Sequence, residues 1–400
     1  MSFAMIPSTR KVIYVAPTTW QLYHIWLPLM REMQVNGYEV LAAGPRDDFE
    51  SKLAQQGVRL LPLPINPHGM NPLKEMAVMA RLWLHYRREE PAVVHHFDFK
   101  QCIYGSVAAR LAGVRVIVNS VIGLGFPFMN GRTLRGLVIV LWRLTCRSRT
   151  WTTFQNPDDQ RYFEDLQLVN PARADLIRGA GVNCQRFAPD DRPATQRVGR
   201  DIRFLMFARL VRYKGVVEYL AAAEKVAQRY RTDKRGRGPK FVLLGGSLPG
   251  NKTRVHNFLL SHPDSLAQGV ISEYVEKGVI EHQPHDDNVI PHIHGADVVV
   301  LPSYGEGLPK SLLEAIACGK PVIATDVAGC REVCRHMHNG LLVRPRDVAS
   351  LAEAFEYFLN NSDQLQLMGQ ASRRMAIEEF SEEIVVMKTL ASYRRAGADL

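Results

Sequence analysis

The chain lacks any run of the roughly 18 uncharged apolar residues that a membrane span requires. The longest candidate, Leu137–Trp142, sits inside a basic segment, so no part of the chain is expected to cross a bilayer. Cysteine is sparse: Cys102, Cys146, Cys184, Cys318, Cys330 and Cys334 are scattered over 400 residues with no paired framework. That excludes a disulfide scaffold and fits a compartment where thiols stay reduced. An apolar leader is also missing, because Met1–Arg10 is short and mixed and Lys11–Pro17 reads as a first buried strand, so a cytoplasmic protein is expected. Neither a short-period repeat nor a low-complexity tract is present.

What is present is length, apolar mass and positive charge. Four hundred residues that are 46% hydrophobic exceed one ordinary core and suit two packed domains. The net charge of +10 is uneven, with +7 of it before residue 195, which points to an anionic partner on the N-terminal half.

Apolar runs alternate with amphipathic stretches. Strands are expected at Lys11–Ala16, Tyr38–Ala43 and Val58–Pro62, with helices at Leu29–Gly37 and Asp48–Gly57 between them. The alternation resumes with strands at Phe204–Ala208, Phe241–Gly245, Val298–Pro302 and Val322–Thr325, separated by helical segments such as Val216–Arg229 and Lys310–Cys318. This is the pattern of two parallel, Rossmann-like sheets. The polar, proline-containing stretch Pro189–Arg200 reads as the linker, and Thr232–Lys240 as a basic loop joining a helix to a strand.

Two loops carry chemistry. Pro302-Ser303-Tyr304-Gly305-Glu306-Gly307-Leu308-Pro309-Lys310 follows a buried strand and opens a helix, which places unpaired backbone amides at a strand's carboxyl end. Glu306 in the loop and Glu314 in the helix can accept hydrogen bonds from sugar hydroxyls at different parts of one extended ligand. A Gly turn with two solvated acids is the plainer alternative. The second loop, Ala208-Arg209-Leu210-Val211-Arg212-Tyr213-Lys214-Gly215, again joins strand to helix. Arg209 as a planar fork and Lys214 as a point charge suit a diphosphate clamp, against the alternative of a basic surface loop.

Arg209-x4-Lys214 followed by Glu306-x7-Glu314 resembles the family-four retaining glycosyltransferases. Further likeness lies in Ile177-Arg178-Gly179-Ala180-Gly181-Val182-Asn183 through Phe187-Ala188-Pro189, in Gly295-Ala296-Asp297-Val298, in Glu314–Val322 and in Gly340–Val343. The resemblance implies an α/β, GT-B fold: two Rossmann-like domains with parallel sheets facing a central cleft. The domains are expected at 1–190 (acceptor side) and 191–378 (nucleotide-sugar side), with 379–400 a C-terminal helix returning to the first. It further implies that Arg209 and Lys214 hold the donor diphosphate, Glu306 the sugar hydroxyls and Glu314 the ribose, with Gly307, Leu308, Pro309 and Gly245 also at the donor.

His95-His96-Phe97-Asp98-Phe99-Lys100, Tyr104-Gly105 and Gly123-Leu124-Gly125 resemble a subgroup that lengthens lipid-linked saccharides. This implies transfer of a sugar, an N-acetylhexosamine on UDP, to a polyprenyl-diphosphate-linked acceptor in bacterial surface glycan assembly. Thr18, His24, Lys100, Gly123 and Gly125 become acceptor-side candidates, and His95 and His96 catalytic ones beside Arg209, Lys214 and Glu306. Two departures stand out: the family's glycines after the first strand are replaced by Pro17-Thr18-Thr19-Trp20, and Phe97 occupies the second place of a His-x-His pair.

Arg132–Arg149 holds five arginines and no acid, and its leucines 134, 137, 141 and 144 gather on a helical wheel opposite the arginines. It is expected to lie on the anionic inner face of the cytoplasmic membrane through Arg132, Arg135, Trp142, Arg143 and Arg147, a peripheral association; an ordinary helix against the sheet is the alternative. No cofactor or metal is expected, since Cys330-x3-Cys334-x-His336-x-His338 and the group His282, His285, His292 and His294 fit no closed zinc spacing. Other functions open at this point are a nucleotide-sugar epimerase on the same scaffold, and a nucleic-acid-binding protein using Arg132–Arg149 and Arg229–Lys240, which lack interleaved aromatics.

Overall fold

The computed structural model describes residues 10–66, 71–124, 132–147, 150–190, 201–230, 238–246 and 265–400. Gly125, Arg149, most of the expected linker and most of the loop 232–240 lie outside them. The chain divides into two compact units, Met1–Ala180 with Val385–Leu400, and Gly181–Ile384. The first division therefore falls about ten residues before the expected 190/191.

The first unit is built on strands β1 Lys11–Val15, β2 Glu39–Gly44, β3 Arg59–Pro62, β4 Val93–Phe97, β5 Val116–Val121, β6 Trp151–Phe154 and β7 Ala174–Leu176. They form a parallel sheet in the order β3-β2-β1-β4-β5-β6-β7. Its helices are α1 Thr19–His24, α2 Leu27–Val35, α3 Glu50–Gln55, α4 Pro72–Glu89, α5 Phe99–Ala112, α6 Arg132–Thr145 and α7 Pro157–Asp165. Strands such as Val12–Val15 and Val93–Phe97 are buried throughout, which is why they read as continuous apolar runs.

The second unit repeats the plan with β8 Ile202–Phe207, β9 Pro239–Leu244, β10 Ile280–Gln283, β11 Val298–Leu301, β12 Val322–Thr325 and β13 Gly340–Val343, parallel in the order β10-β9-β8-β11-β12-β13. Around them lie α8 Val216–Tyr230, α9 Gln268–Glu276, α10 Ile290–Gly295, α11 Lys310–Ala317, α12 Cys330–Val333, α13 Val348–Asn360 and α14 Gln364–Glu379, and the last helix, α15 Glu382–Ala396, belongs from Val385 onward to the first unit. From α15, Val386, Leu390 and Tyr393 are buried in the core of the first unit, beside Val12, Tyr14 and Val118.

The segment after Gly181 is fixed to the second unit. Gly181 has φ +77, and a Cβ there would stand 2.7 Å from Glu382 Cα. Val182 N donates to Phe380 O at 2.8 Å, and the Arg373 guanidinium donates to the carbonyls of Cys184, Phe187 and Ala317.

Candidate active site

The loops that follow β8 and β11 interlock at the carboxyl edge of the six-stranded sheet, where ligands of open parallel sheets bind. The Tyr213 carbonyl accepts from Tyr304 N at 2.8 Å and from Ser303 Oγ at 3.1 Å. Gly215 has φ +77, and a Cβ on it would stand 2.0 Å from the Pro302 carbonyl oxygen, so no side chain fits. Glu306 N donates to Ala328 O, and the Thr325 hydroxyl donates to Ser303 O. Three segments remote in sequence thus hold one another.

The charged groups of these loops meet. Lys214 Nζ lies 2.5 Å from Glu306 Oε1, with the side chains only 14% and 12% exposed. The Arg209 guanidinium donates to the Tyr213 hydroxyl and lies 5.7 Å from the centre of its ring; Lys214 Nζ lies 5.6 Å from the same centre. Tyr213 therefore spaces the two cations. Tyr304 donates to Glu218 at 2.6 Å, and Arg346 stands 4.5 Å over its ring. Neither tyrosine was singled out from sequence, although both sit inside the two motifs.

Glu314 lies on α11, where burial pushes its carboxyl up to about 7 against the opposing pull of Lys310 and Arg186. Pro309 caps α11, one position before the helix rather than in its first turn, and its carbonyl accepts from Leu312 and Leu313 N. Leu308 packs on the apolar core, and the carbonyls of Glu306 and Gly307 approach Gly329 so closely that a Cβ there would stand 2.5 Å from each. Gly245, after β9, belongs to the same edge: its carbonyl accepts from His282 at 3.0 Å, and a Cβ on it would stand 2.2 Å from Ala208 O. The donor-side candidates Arg209, Lys214, Glu306, Gly307, Leu308, Pro309, Glu314 and Gly245 all lie in the second unit.

The acceptor-side candidates belong to the first unit. Thr18 caps α1 by accepting from Gln21 N at 3.2 Å. The neighbouring Thr19 hydroxyl donates to Asp47, so this turn is held by side chains where glycines were expected. His24 packs among Trp20, Tyr23 and Phe49. Lys100 pairs with Glu75 at 2.9 Å, and Gly123 has φ +112.

The two expected catalytic histidines are core residues. His95 and His96 are buried on β4. His95 shares hydrogen bonds with Tyr393 Oη at 2.6 Å and Ser120 Oγ at 2.7 Å; His96 does so with Tyr86 Oη at 2.9 Å and Asn119 Oδ1 at 2.8 Å. Burial lowers both ring pKa values, that of His96 to about 4, so each is a neutral imidazole with both nitrogens occupied. Gly105 leaves room for the His96 ring, since a Cβ there would lie 2.4 Å from it.

Trp142 is likewise corrected. It is fully buried, against Phe99 and Phe163, because α6 turns Val138, Trp142 and Cys146 inward. Leu137, Val140 and Leu144 are exposed instead, with Arg143 and Arg147; Arg135 is partly buried, and the Arg132 side chain lies outside the described set. Among the described residues no group of three or more His, Cys, Asp and Glu could hold a metal ion. Cys330 and Cys334 are buried in apolar packing, and His336 Nδ1 accepts from Leu342 N. His285 and His292 pair with Asp287 and Asp286. No described helix is long and apolar enough to cross a membrane.

This architecture and loop pair define a two-domain GT-B glycosyltransferase. Residues 188–375 belong to the family described as glycosyl transferases group 1, and residues 25–180 are a glycosyl transferase 4-like domain. The chain is similar to the N,N'-diacetylbacillosaminyl-diphospho-undecaprenol alpha-1,3-N-acetylgalactosaminyltransferase of Campylobacter jejuni, 22% identical over 389 residues, 94% of this chain and 96% of that one. It is also similar to the UDP-Gal:alpha-D-GlcNAc-diphosphoundecaprenol alpha-1,3-galactosyltransferase of Escherichia coli, 24% identical over 353 residues, 85% and 83% of the two chains. Among solved structures, Anabaena HepE in complex with UDP and glucose superposes with a TM-score of 0.74 at 15% identity, over 96% of this chain and 99% of that one. A glycosyltransferase from Rickettsia africae gives 0.76 at 15%, over 98% and 100%. The comparisons favour neither the epimerase nor the nucleic-acid reading.

Proposed function

We propose that this glycosyltransferase moves an N-acetylhexosamine from a UDP-linked donor, with retention, to a polyprenyl-diphosphate-linked saccharide at the inner face of the cytoplasmic membrane. The observation that carries the donor half is the Lys214–Glu306 pair with Arg209 beside it, at the carboxyl edge of the second sheet. Arg209 and Lys214 neutralise the diphosphate and gain most as its leaving charge develops. Glu306 accepts hydrogen bonds from the sugar hydroxyls, and Glu314 from the ribose once ionised. Gly307, Leu308, Pro309 and Gly245 line the donor with backbone.

The acceptor hydroxyl attacks from the face that the diphosphate leaves, and orientation supplies much of the rate. In this reading two cations and helix-end amides supply the neutralisation, with no metal or cofactor. Support for the lipid-linked acceptor is the likeness, over most of the chain, to two transferases whose names specify diphosphoundecaprenol-linked saccharides. The test is a panel of nucleotide sugars offered with and without a lipid-linked saccharide while nucleotide release is followed. Release from a UDP-N-acetylhexosamine only when acceptor is present is the expected result; acceptor-dependent release from none of the donors would overturn the reading.

A further inference from the structure

Tyr213 stands between the two cations of the donor loop, in sequence and in space. It follows Arg209 and directly precedes Lys214, inside a single tight helical turn, Arg212–Lys214, that Gly215 closes with φ +77. That turn is fastened to the neighbouring loop, because the Tyr213 carbonyl accepts from Tyr304 N at 2.8 Å and from Ser303 Oγ at 3.1 Å. The backbone that carries the ring is therefore fixed.

Arg209 needs such a support. It is exposed, and an exposed arginine keeps a rotamer freedom that it must give up on gripping a phosphate. Among the described residues the Tyr213 hydroxyl is the one hydrogen-bond partner of the Arg209 side chain. Arg212, also exposed in the same loop, has no side-chain hydrogen bond to a described residue, so the tyrosine singles out one arginine of the two. The bond engages one Nη and leaves the rest of the guanidinium fork open to a ligand. The ring adds a second hold: Arg209 Cζ lies 5.7 Å from its centre and Lys214 Nζ 5.6 Å, both within cation–π range, which eases the repulsion between two cations kept near one anion.

We propose that Tyr213 is a positioning residue of the transfer reaction. Its hydroxyl holds the Arg209 guanidinium, and its ring spaces that group from Lys214, in the arrangement that meets the departing diphosphate. A cation already in place when charge develops stabilises the transition state without reorganising at that moment, so the hydroxyl acts on turnover more than on donor affinity. Because the carbonyl of the same residue anchors the loop that carries Glu306, Tyr213 also joins the diphosphate half of the donor site to its sugar half. The inference rests on the reading that Arg209 and Lys214 bind the donor diphosphate, and it adds the residue through which Arg209 is held.

The test is a double-mutant cycle on the full chain: wild type, Tyr213→Phe, Arg209→Ala and the double variant, each followed for kcat, donor KM and thermal melting with a UDP-N-acetylhexosamine and a lipid-linked saccharide. Tyr213→Phe keeps the ring and the main-chain contacts and removes the hydroxyl alone. It is expected to lower kcat about tenfold, with donor KM and melting unchanged. In the Arg209→Ala background the same substitution should cost less than about twofold, since the hydroxyl acts through that guanidinium. An equal loss in both backgrounds, a loss confined to donor KM or to melting, or wild-type turnover by Tyr213→Phe beside a slow Arg209→Ala would overturn the proposal and leave the clamp standing. Wild-type turnover by Arg209→Ala would refute the clamp and the role of Tyr213 together.

Discussion

At the scale of the residue, charge and burial decide what each candidate can do. Glu314 shows it: burial pushes its carboxyl up to about 7 in the folded chain, against 4.5 for an ordinary glutamate exposed to water. The folded state therefore holds that proton more tightly, so the group's stabilising contribution is present below about pH 4.5 and is lost as pH rises through about 7. Glu314→Gln is expected to flatten the fall in melting temperature across that window. It should also remove a rise in affinity for a UDP-sugar between pH 6 and 8, because the ionised carboxylate accepts from hydroxyls more strongly than the protonated acid does. A calorimetric titration of both proteins against pH checks this; parallel curves would count against the role given to Glu314. His95 and His96 show the converse. Their neighbours in sequence look like a site, but Tyr393 lies 298 positions away, and only folding discloses that it occupies His95.

At the scale of the element, the strand-loop-helix junctions carry the site, and these were legible. Burial on both faces makes the parallel strands continuous apolar runs, and Gly215 and Gly329 mark the points where other segments closely approach the 302–309 loop. Gly215→Ala is expected to lower stability by at least about 1–3 kcal/mol, since it combines a positive φ with a collision against backbone. Melting should drop and donor binding weaken together, because the same contact seats the loop bearing Glu306; a fully active, unshifted variant would show that the two loops are not rigidly joined. Helix orientation was less legible. A wheel finds that α6 has an apolar side, but three of its turns carry apolar residues on both, and only the aromatic cluster of Phe99 and Phe163 decides that Trp142 turns inward.

At the scale of the whole molecule, the two parallel sheets agree with expectation, whereas the place of division does not. Composition pointed to the proline-containing stretch after Pro189, but the backbone contacts of Val182, Phe380 and Glu382 already fasten the chain to the second unit before it. The glycosyltransferase assignment stands on the loop pair and on family membership across both domains. Its central claim is that Arg209 and Lys214 stabilise the departing diphosphate. The direct measurement is the acceptor-dependent transfer rate of Lys214→Ala and Arg209→Ala, with melting followed in parallel. Removing one such preorganised group is predicted to slow transfer by about 100-fold or more while the fold persists; near-normal transfer in either well-folded variant would contradict the account.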